Sequence, residues 1–270
     1  MLFRSNGMAK AAKKAGRIAA EGIVKVVTEG NKAAIVEVNS ETDFVAKNAD
    51  FNAYVEEVAQ QALNTKATDI DAFLAESWTK DTSKTVADVL AGQVAIIGEN
   101  LKIRRFAQVE ESNGFIASYI HMGGKIGVLV DVETDVVNSA IEEMAKNVAM
   151  QAAALKPMYT NRSEVDPEYI AKETEIITAT AKNEKPDAND KIIEGMVKGR
   201  LNKELKEICL LDQTYVKAED GKQSVSAYVA EVAKANNANI TIKGFVRFET
   251  GEGIEKKNED FAAEVAAQLQ

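Results

Sequence analysis

Apolar positions along the chain alternate with a period of two in some stretches and recur every three to four residues in others, and the switches mark out its elements. "EGIVKVVTEGNKAAIVEVN" (21–39) is two β-branched runs around Gly30 and Asn31, which predicts a β-hairpin. In "FNAYVEEVAQQAL", Phe51, Tyr54, Val55, Val58 and Leu63 fall at helical spacing, with Asp50 as the expected N-cap. "TVADVLAGQVAIIGENLKIRRFAQVE" predicts a helix, a glycine-containing loop and a strand. "GFIASYIHMGGKIGVLVDV" (114–132) is a second hairpin around Gly123 and Gly124, and "SAIEEMAKNVAMQAAAL" is again helical. "NITIKGFVRFETGEG" reads as a strand, and "NEDFAAEVAAQLQ" as a closing helix.

Shifting residues 33–62 by 92 positions places Val36 on Val128, Val38 on Val130, Val45 on Val137, and Glu41, Thr42 and Asp43 on Glu133, Thr134 and Asp135. Two hairpin-plus-helix units in one order point to duplication. The expected fold class is α+β: two duplicated subdomains, each a small antiparallel three-stranded sheet packed with helices. The third strands are expected around 101–110 and 240–249.

Between the second helix and the last strand, "VDPEYIAKETEIITATAKNEKPDANDKIIEGMVKGRLNKELKEICLL" predicts two helices around a Pro-containing polar tip. Ile192, Ile193, Met196, Val197, Leu201, Leu205 and Ile208 make an apolar stripe on the second of them. An inserted antiparallel helical hairpin, a short coiled coil, is expected, with the stripe serving mainly its own packing. The domain reading is therefore a basic linker over 1–20, an N-terminal core subdomain over 21–112, a C-terminal core subdomain over 113–166 and 210–270, and the inserted hairpin over 167–209.

Composition narrows the function. The 270 residues are 46% hydrophobic and 28% charged, enough to bury a sizeable core. A net charge of −9, without a Lys/Arg stripe interleaved with aromatics, argues against direct nucleic-acid or anionic-membrane binding. No apolar run approaches the ~20 residues of a membrane span. The start, "MLFRSNGMAKAAKKAGR", is basic and free of acids, which fits either a mitochondrial transit segment or a linker left from a longer chain. Cys209 is the one cysteine, expected to be buried as a small apolar side chain, and His121 is the one histidine, so neither a thiolate cluster nor a multi-His metal site is expected. "HMGGKIG" lacks the spacer and the Ser/Thr of a phosphate loop, and the GxG of "ETGEGIE" lacks the rest of a dinucleotide fingerprint. No catalytic set, metal or cofactor is predicted, and an enzyme is disfavoured.

What remains is surface for a protein partner. In "VEVNSETDFVAKNAD" an aromatic, Phe44, interrupts an otherwise polar strand-to-helix connection, and its counterpart in the second copy is Val136. Two roles are open to it: a staple holding the loop to the next helix, or an anchor presented to a partner beside the Asp43 carboxylate. His121, next to a glycine pair, reads as a turn residue.

The segments "MAKAAKKAGRIAAEG", "EVNSETDFVAKN", "IGENLKIRR", "HMGGKIGVLV" and "GFVRFETGEGIEKKNEDFAAEVA" come in the order and spacing of the bacterial translation elongation factor Ts family, which the chain resembles from about Gly7 onward. The resemblance implies a guanine-nucleotide exchange factor that binds elongation factor Tu, both GDP-bound and nucleotide-free, in the bacterial cytoplasm; a mitochondrial or plastid relative is the lesser alternative. It further implies that Asp43 and Phe44 intrude near the partner's phosphate and Mg²⁺ site to release GDP. Val45, Ile97, Gly98, His121, Gly123 and Gly124 fall on positions used against the same partner. The family normally begins with a small helical module, which "MLFRSN" does not resemble; a truncated chain or a misplaced start is therefore expected, and the alternative is a binding scaffold that associates without driving exchange. Lys125, Gln151 and Thr214 stand where the family commonly has Arg, His and Pro, and the Lys125 contact is expected to be weaker than that of an arginine.

Overall fold

A computed structural model describes residues 2–255. The expected closing helix at 258–270 lies outside the described residues. By contacts, the described residues form two units: one runs to Val109 and takes in Ile120–Gly127 and the residues from Phe248, the other comprises Glu110–Tyr119 and Val128–Arg247.

The chain enters through helix α1 (Leu2–Lys14). Strands β1 (Glu21–Glu29) and β2 (Lys32–Ser40) then form the predicted hairpin, in unbroken antiparallel register from Glu21 opposite Ser40 to Glu29 opposite Lys32. A single helical turn, α2 (Asp43–Ala46), leads into α3 (Ala49–Asn64). The cap of α3 differs from expectation. Asn48, not Asp50, is the N-cap, its Oδ1 accepting the Phe51 amide at 3.0 Å. Asp50 sits inside the first turn, where its charge favours the helix dipole. Helix α4 (Ile70–Ala75) and the small hairpin β3 (Ser77–Trp78) and β4 (Asp81–Thr85) follow, none of them foreseen. A capping box between Thr85 and Asp88 starts α5 (Val86–Ile97), and Gly98 ends it in the left-handed region at φ 87°. Strand β5 (Lys102–Glu110) completes a sheet of order β1-β2-β5.

Alternation along β1 and β2 and the helical spacing on α3 send Ile23, Val27, Val36 and Val38 against Phe51, Val55, Val58 and Ala62 in one core. Full burial of a side chain such as Phe51 contributes about 2–3 kcal/mol. Phe73 of α4 and Trp78 of β3 close that core from the side.

The second hairpin, β6 (Gly114–His121) and β7 (Ile126–Thr134), precedes α6 (Ser139–Leu155). The helical hairpin α7 (Pro167–Glu184) and α8 (Asp190–Ile208) is present as expected, then α9 (Val225–Ala235), unforeseen, and β8 (Ile240–Glu249), giving a sheet β6-β7-β8. The strand order repeats that of the first sheet. Val36, Val38, Val128 and Val130, matched by the internal repeat, are all fully buried. The hairpin stripe is used only in part: Ala181, Ile193 and Val197 are buried together, with Ile177, Ala188 and Met196 around them, while Ile192 points to solvent. Cys209, at the end of α8, is buried, and burial pushes its thiol pKa up. No helix among the described residues is long and apolar enough to cross a membrane.

Candidate functional site

The connection after β2 is held rigidly at both ends. Thr42 caps α2, its Oγ1 accepting the Val45 amide at 3.3 Å, while its own amide and hydroxyl donate to the Glu99 carboxylate at 3.1 and 2.6 Å. Glu41 donates its amide to Glu99 at 3.0 Å and accepts the Asn100 amide at 2.6 Å. At the other end, Asn52 reaches back to the Ala46 and Asn48 carbonyls at 2.9 and 2.8 Å. One helical turn has only two sides, and the core takes one: Ala46 is buried and Val45 packs against the first unit's core. Phe44 is left outside, 81% exposed. It is not a staple. Asp43 sits beside it, half-exposed and bonded to Lys47 at 2.6 Å; that bond, with a further pull from Lys125, holds the Asp43 carboxyl below the usual aspartate range. The connection expected to be a loop is thus a helical turn offering one aromatic ring and one carboxylate.

Two further segments join it within the same unit. Glu99 belongs to "IGEN", so α2 is tied to the end of α5, where Ile97 packs against the core and Gly98 turns the chain. In the turn after β6, the His121 carbonyl accepts from the Gly124 and Lys125 amides at 3.2 and 3.1 Å, and the Gly124 carbonyl accepts the Val24 amide at 2.7 Å. Lys125 is paired with Glu21 of β1. The charge at this position therefore anchors the turn internally, where one hydrogen bond suffices and the fork of an arginine is not required. Gln151 is likewise internal to the other unit, bonded to Gln213, Thr214 and Val216.

The two glycines of the turn differ. A Cβ on Gly123 (φ 64°) meets nothing within 4 Å, whereas one on Gly124 (φ 102°) lies 3.0 Å from Ile23 Cβ and 3.1 Å from the Val24 carbonyl oxygen. Gly123→Ala is expected to cost only the left-handed backbone penalty, about 1 kcal/mol, and Gly124→Ala at least about 1 kcal/mol more through overpacking, in denaturant unfolding of the two variants.

Two features have no counterpart in the sequence expectations. Ile96 and Met122 are 78% and 74% exposed, next after Phe44 among the large hydrophobics described. Met122 also has φ 47°, a left-handed conformation that costs a non-glycine residue on the order of 1 kcal/mol. A period-based reading assigns both to the buried set, because each lies within or beside an apolar run.

The same unit holds a buried carboxylate. Glu37 of β2 is fully buried and accepts from Arg104 at 3.0 Å, Arg105 at 2.6 Å, Asn39 at 3.0 Å and the Gly251 amide at 2.8 Å. Arg105 also bonds Glu252 at 3.2 Å and stacks 4.3 Å over the Phe248 ring. The "IRR" and "ETGEGIE" segments thus meet on one strand, and the GxG is part of a clamp: a Cβ on Gly251 falls 2.1 Å from the Ala20 carbonyl oxygen. Among the described residues no group of three or more His, Cys, Asp or Glu is placed to hold a metal.

The family model for Elongation factor TS matches residues 41–252. The Elongation factor Ts of Clostridioides difficile (strain 630) is 54% identical over 270 residues, covering 99% of this chain and 87% of its own length. Those of Clostridium botulinum (strain Eklund 17B / Type B) and Clostridium tetani (strain Massachusetts / E88) are each 48% identical, covering 99% and 100% of this chain and 87% and 88% of their own lengths.

Proposed function

The chain belongs to the elongation factor Ts family, bacterial cytoplasmic proteins that bind elongation factor Tu and exchange its guanine nucleotide, and from that premise we propose that Asp43 and Phe44 are the element that opens the partner's nucleotide site. The observation that carries the reading is the exposure of Phe44 on a turn whose other apolar residues are locked into the core. A pre-ordered aromatic loses little conformational freedom on docking, so more of its burial is available to displace the partner's own contacts. The ionised Asp43 beside it presents negative charge where the partner must hold Mg²⁺ and phosphates, which disfavours retention of the nucleotide.

Val45 acts in this scheme from beneath, by fixing the turn against the core. Gly98, with Ile97 half-buried against the core beside it, forms the second edge of the contact surface, and His121, Gly123 and Gly124 the third. The duplicated subdomains we propose, 21–112 and 113–166 with 210–270, differ in this respect: only the first copy carries an aromatic at the wedge position, and 167–209 is an insertion in the second.

Exchange factors are bound by reciprocity. Whatever factor this chain takes from the partner's affinity for GDP, GDP takes from the partner's affinity for this chain, so the rate of exchange changes and the final nucleotide balance does not. The test is release of fluorescent GDP from purified elongation factor Tu. Substoichiometric amounts of the chain are expected to accelerate release through many turnovers. A stable complex with no acceleration identifies a binding scaffold instead.

A further inference from the structure

We propose that Met122 and Ile96 are two further apolar anchors for elongation factor Tu, flanking Phe44, and that they set how tightly the factor is held more than how fast nucleotide leaves; this rests on the reading of Phe44 given above. Neither side chain is buried in the fold. Ile97 turns into the core while its neighbour Ile96 turns away, and Met122 stands clear of the turn that carries it. The backbone at Met122 is left-handed and leads directly into Gly123 and Gly124, also at positive φ. Glycine relieves strain at such a position and methionine does not, so folding gives no reason for a long thioether there. A strained residue with an exposed side chain marks a contact surface.

Hydrogen bonds bring the three residues to one end of the β1-β2-β5 sheet. Thr42, two residues before Phe44, is bonded to Glu99, three residues after Ile96. The turn bearing Met122 is fixed to the start of β1 through Gly124 to Val24 and Lys125 to Glu21, and Glu21 lies opposite Ser40, the last residue of β2. Lys125 is near enough to Asp43 to lower its carboxyl pKa. Phe44, Ile96 and Met122 thus stand exposed on segments tied to one another, with Asp43 and Lys47 beside Phe44, which suits the apolar centre and polar rim of an interface. Its occupant is the surface of elongation factor Tu continuous with the part that receives Phe44. The flexible thioether suits a contact that must persist while the partner changes shape around a departing nucleotide.

Met122→Gly and Ile96→Ser, each in the full chain, test this by titration against nucleotide-free elongation factor Tu and by the exchange assay at varied factor concentration. Each is expected to raise the Kd about fivefold or more, with the concentration for half-maximal exchange rising in step and the plateau rate falling far less than in Phe44→Ala. The thermal midpoint of Met122→Gly is expected at or above the parent's, which separates lost contact from lost fold. Val137→Ala removes another exposed apolar side chain, 53% exposed, from the other repeat and is expected to bind as the parent does. A Kd within about twofold of the parent in both Met122→Gly and Ile96→Ser overturns the proposal. A reduced plateau at unchanged Kd overturns it too, because the residues then belong to the wedge. If Phe44→Ala exchanges at full speed while both variants bind weakly, the wedge reading fails and the anchors stand.

Discussion

Phe44→Ala slows GDP release from elongation factor Tu by ~30-fold or more, the rate equivalent of the ~2 kcal/mol that a central aromatic anchor contributes. The same substitution leaves the chain's own stability within about 0.5 kcal/mol, since the ring is 81% exposed and makes no core contact. The pairing of these two results is the diagnostic part. A staple would give the opposite pattern, lost stability with exchange surviving in whatever remained folded. Stopped-flow release of a fluorescent nucleotide and a thermal melt on one preparation measure both, and an unaltered release rate would overturn the role given to Phe44.

Glu37→Gln destabilises the unit that carries the site by roughly 3 kcal/mol, at the lower end for loss of one member of a buried ion pair because Arg104 and Arg105 keep 23% and 30% of their side chains in water. The predicted signature extends to pH. Burial by itself raises the Glu37 pKa, but the Gly251 amide, Asn39, Arg105 and Arg104 outweigh it and hold the group below the usual glutamate range. A depressed carboxylate pKa contributes stability that is complete above the unfolded value and disappears as pH falls through the folded one. The parent chain therefore loses stability in acid that Glu37→Gln, already without the charge, does not lose again. Denaturant melts of both proteins at pH 7 and at pH 4 check this, and parallel acid losses would show that Glu37 is not the responsible group.

The sheets were legible because β-branched alternation and turn residues act locally, and the duplicated order was legible because Val36, Val38, Val128 and Val130 answer to the same burial in each copy. The hairpin β3 and β4 was not. Its second strand is polar and largely exposed, and its one strong residue, Trp78, earns its place through a core assembled from distant segments. The site was half legible. An aromatic in a polar connection is visible as an anomaly, yet a turn of four residues has no periodicity from which to learn that Val45 goes in and Phe44 goes out. Ile96 and Met122 escaped for the converse reason: they look like ordinary members of apolar runs, and only the packing of Ile97 and the backbone of the turn reveal that they face water. Glu37 reads in sequence as the solvent side of a strand. Its partners lie as far as 214 positions away, beyond any local pattern.

The burial of Cys209 has a practical outcome for following these events in real time. A thiolate is the reactive species towards maleimides, and a buried thiol whose pKa is raised supplies little of it. A cysteine placed at Val137, an exposed side chain whose loss is expected to leave binding unchanged, is then the single readily alkylated position, so a fluorophore can be attached there without first deleting the native sulfur, and its anisotropy reports docking as it happens.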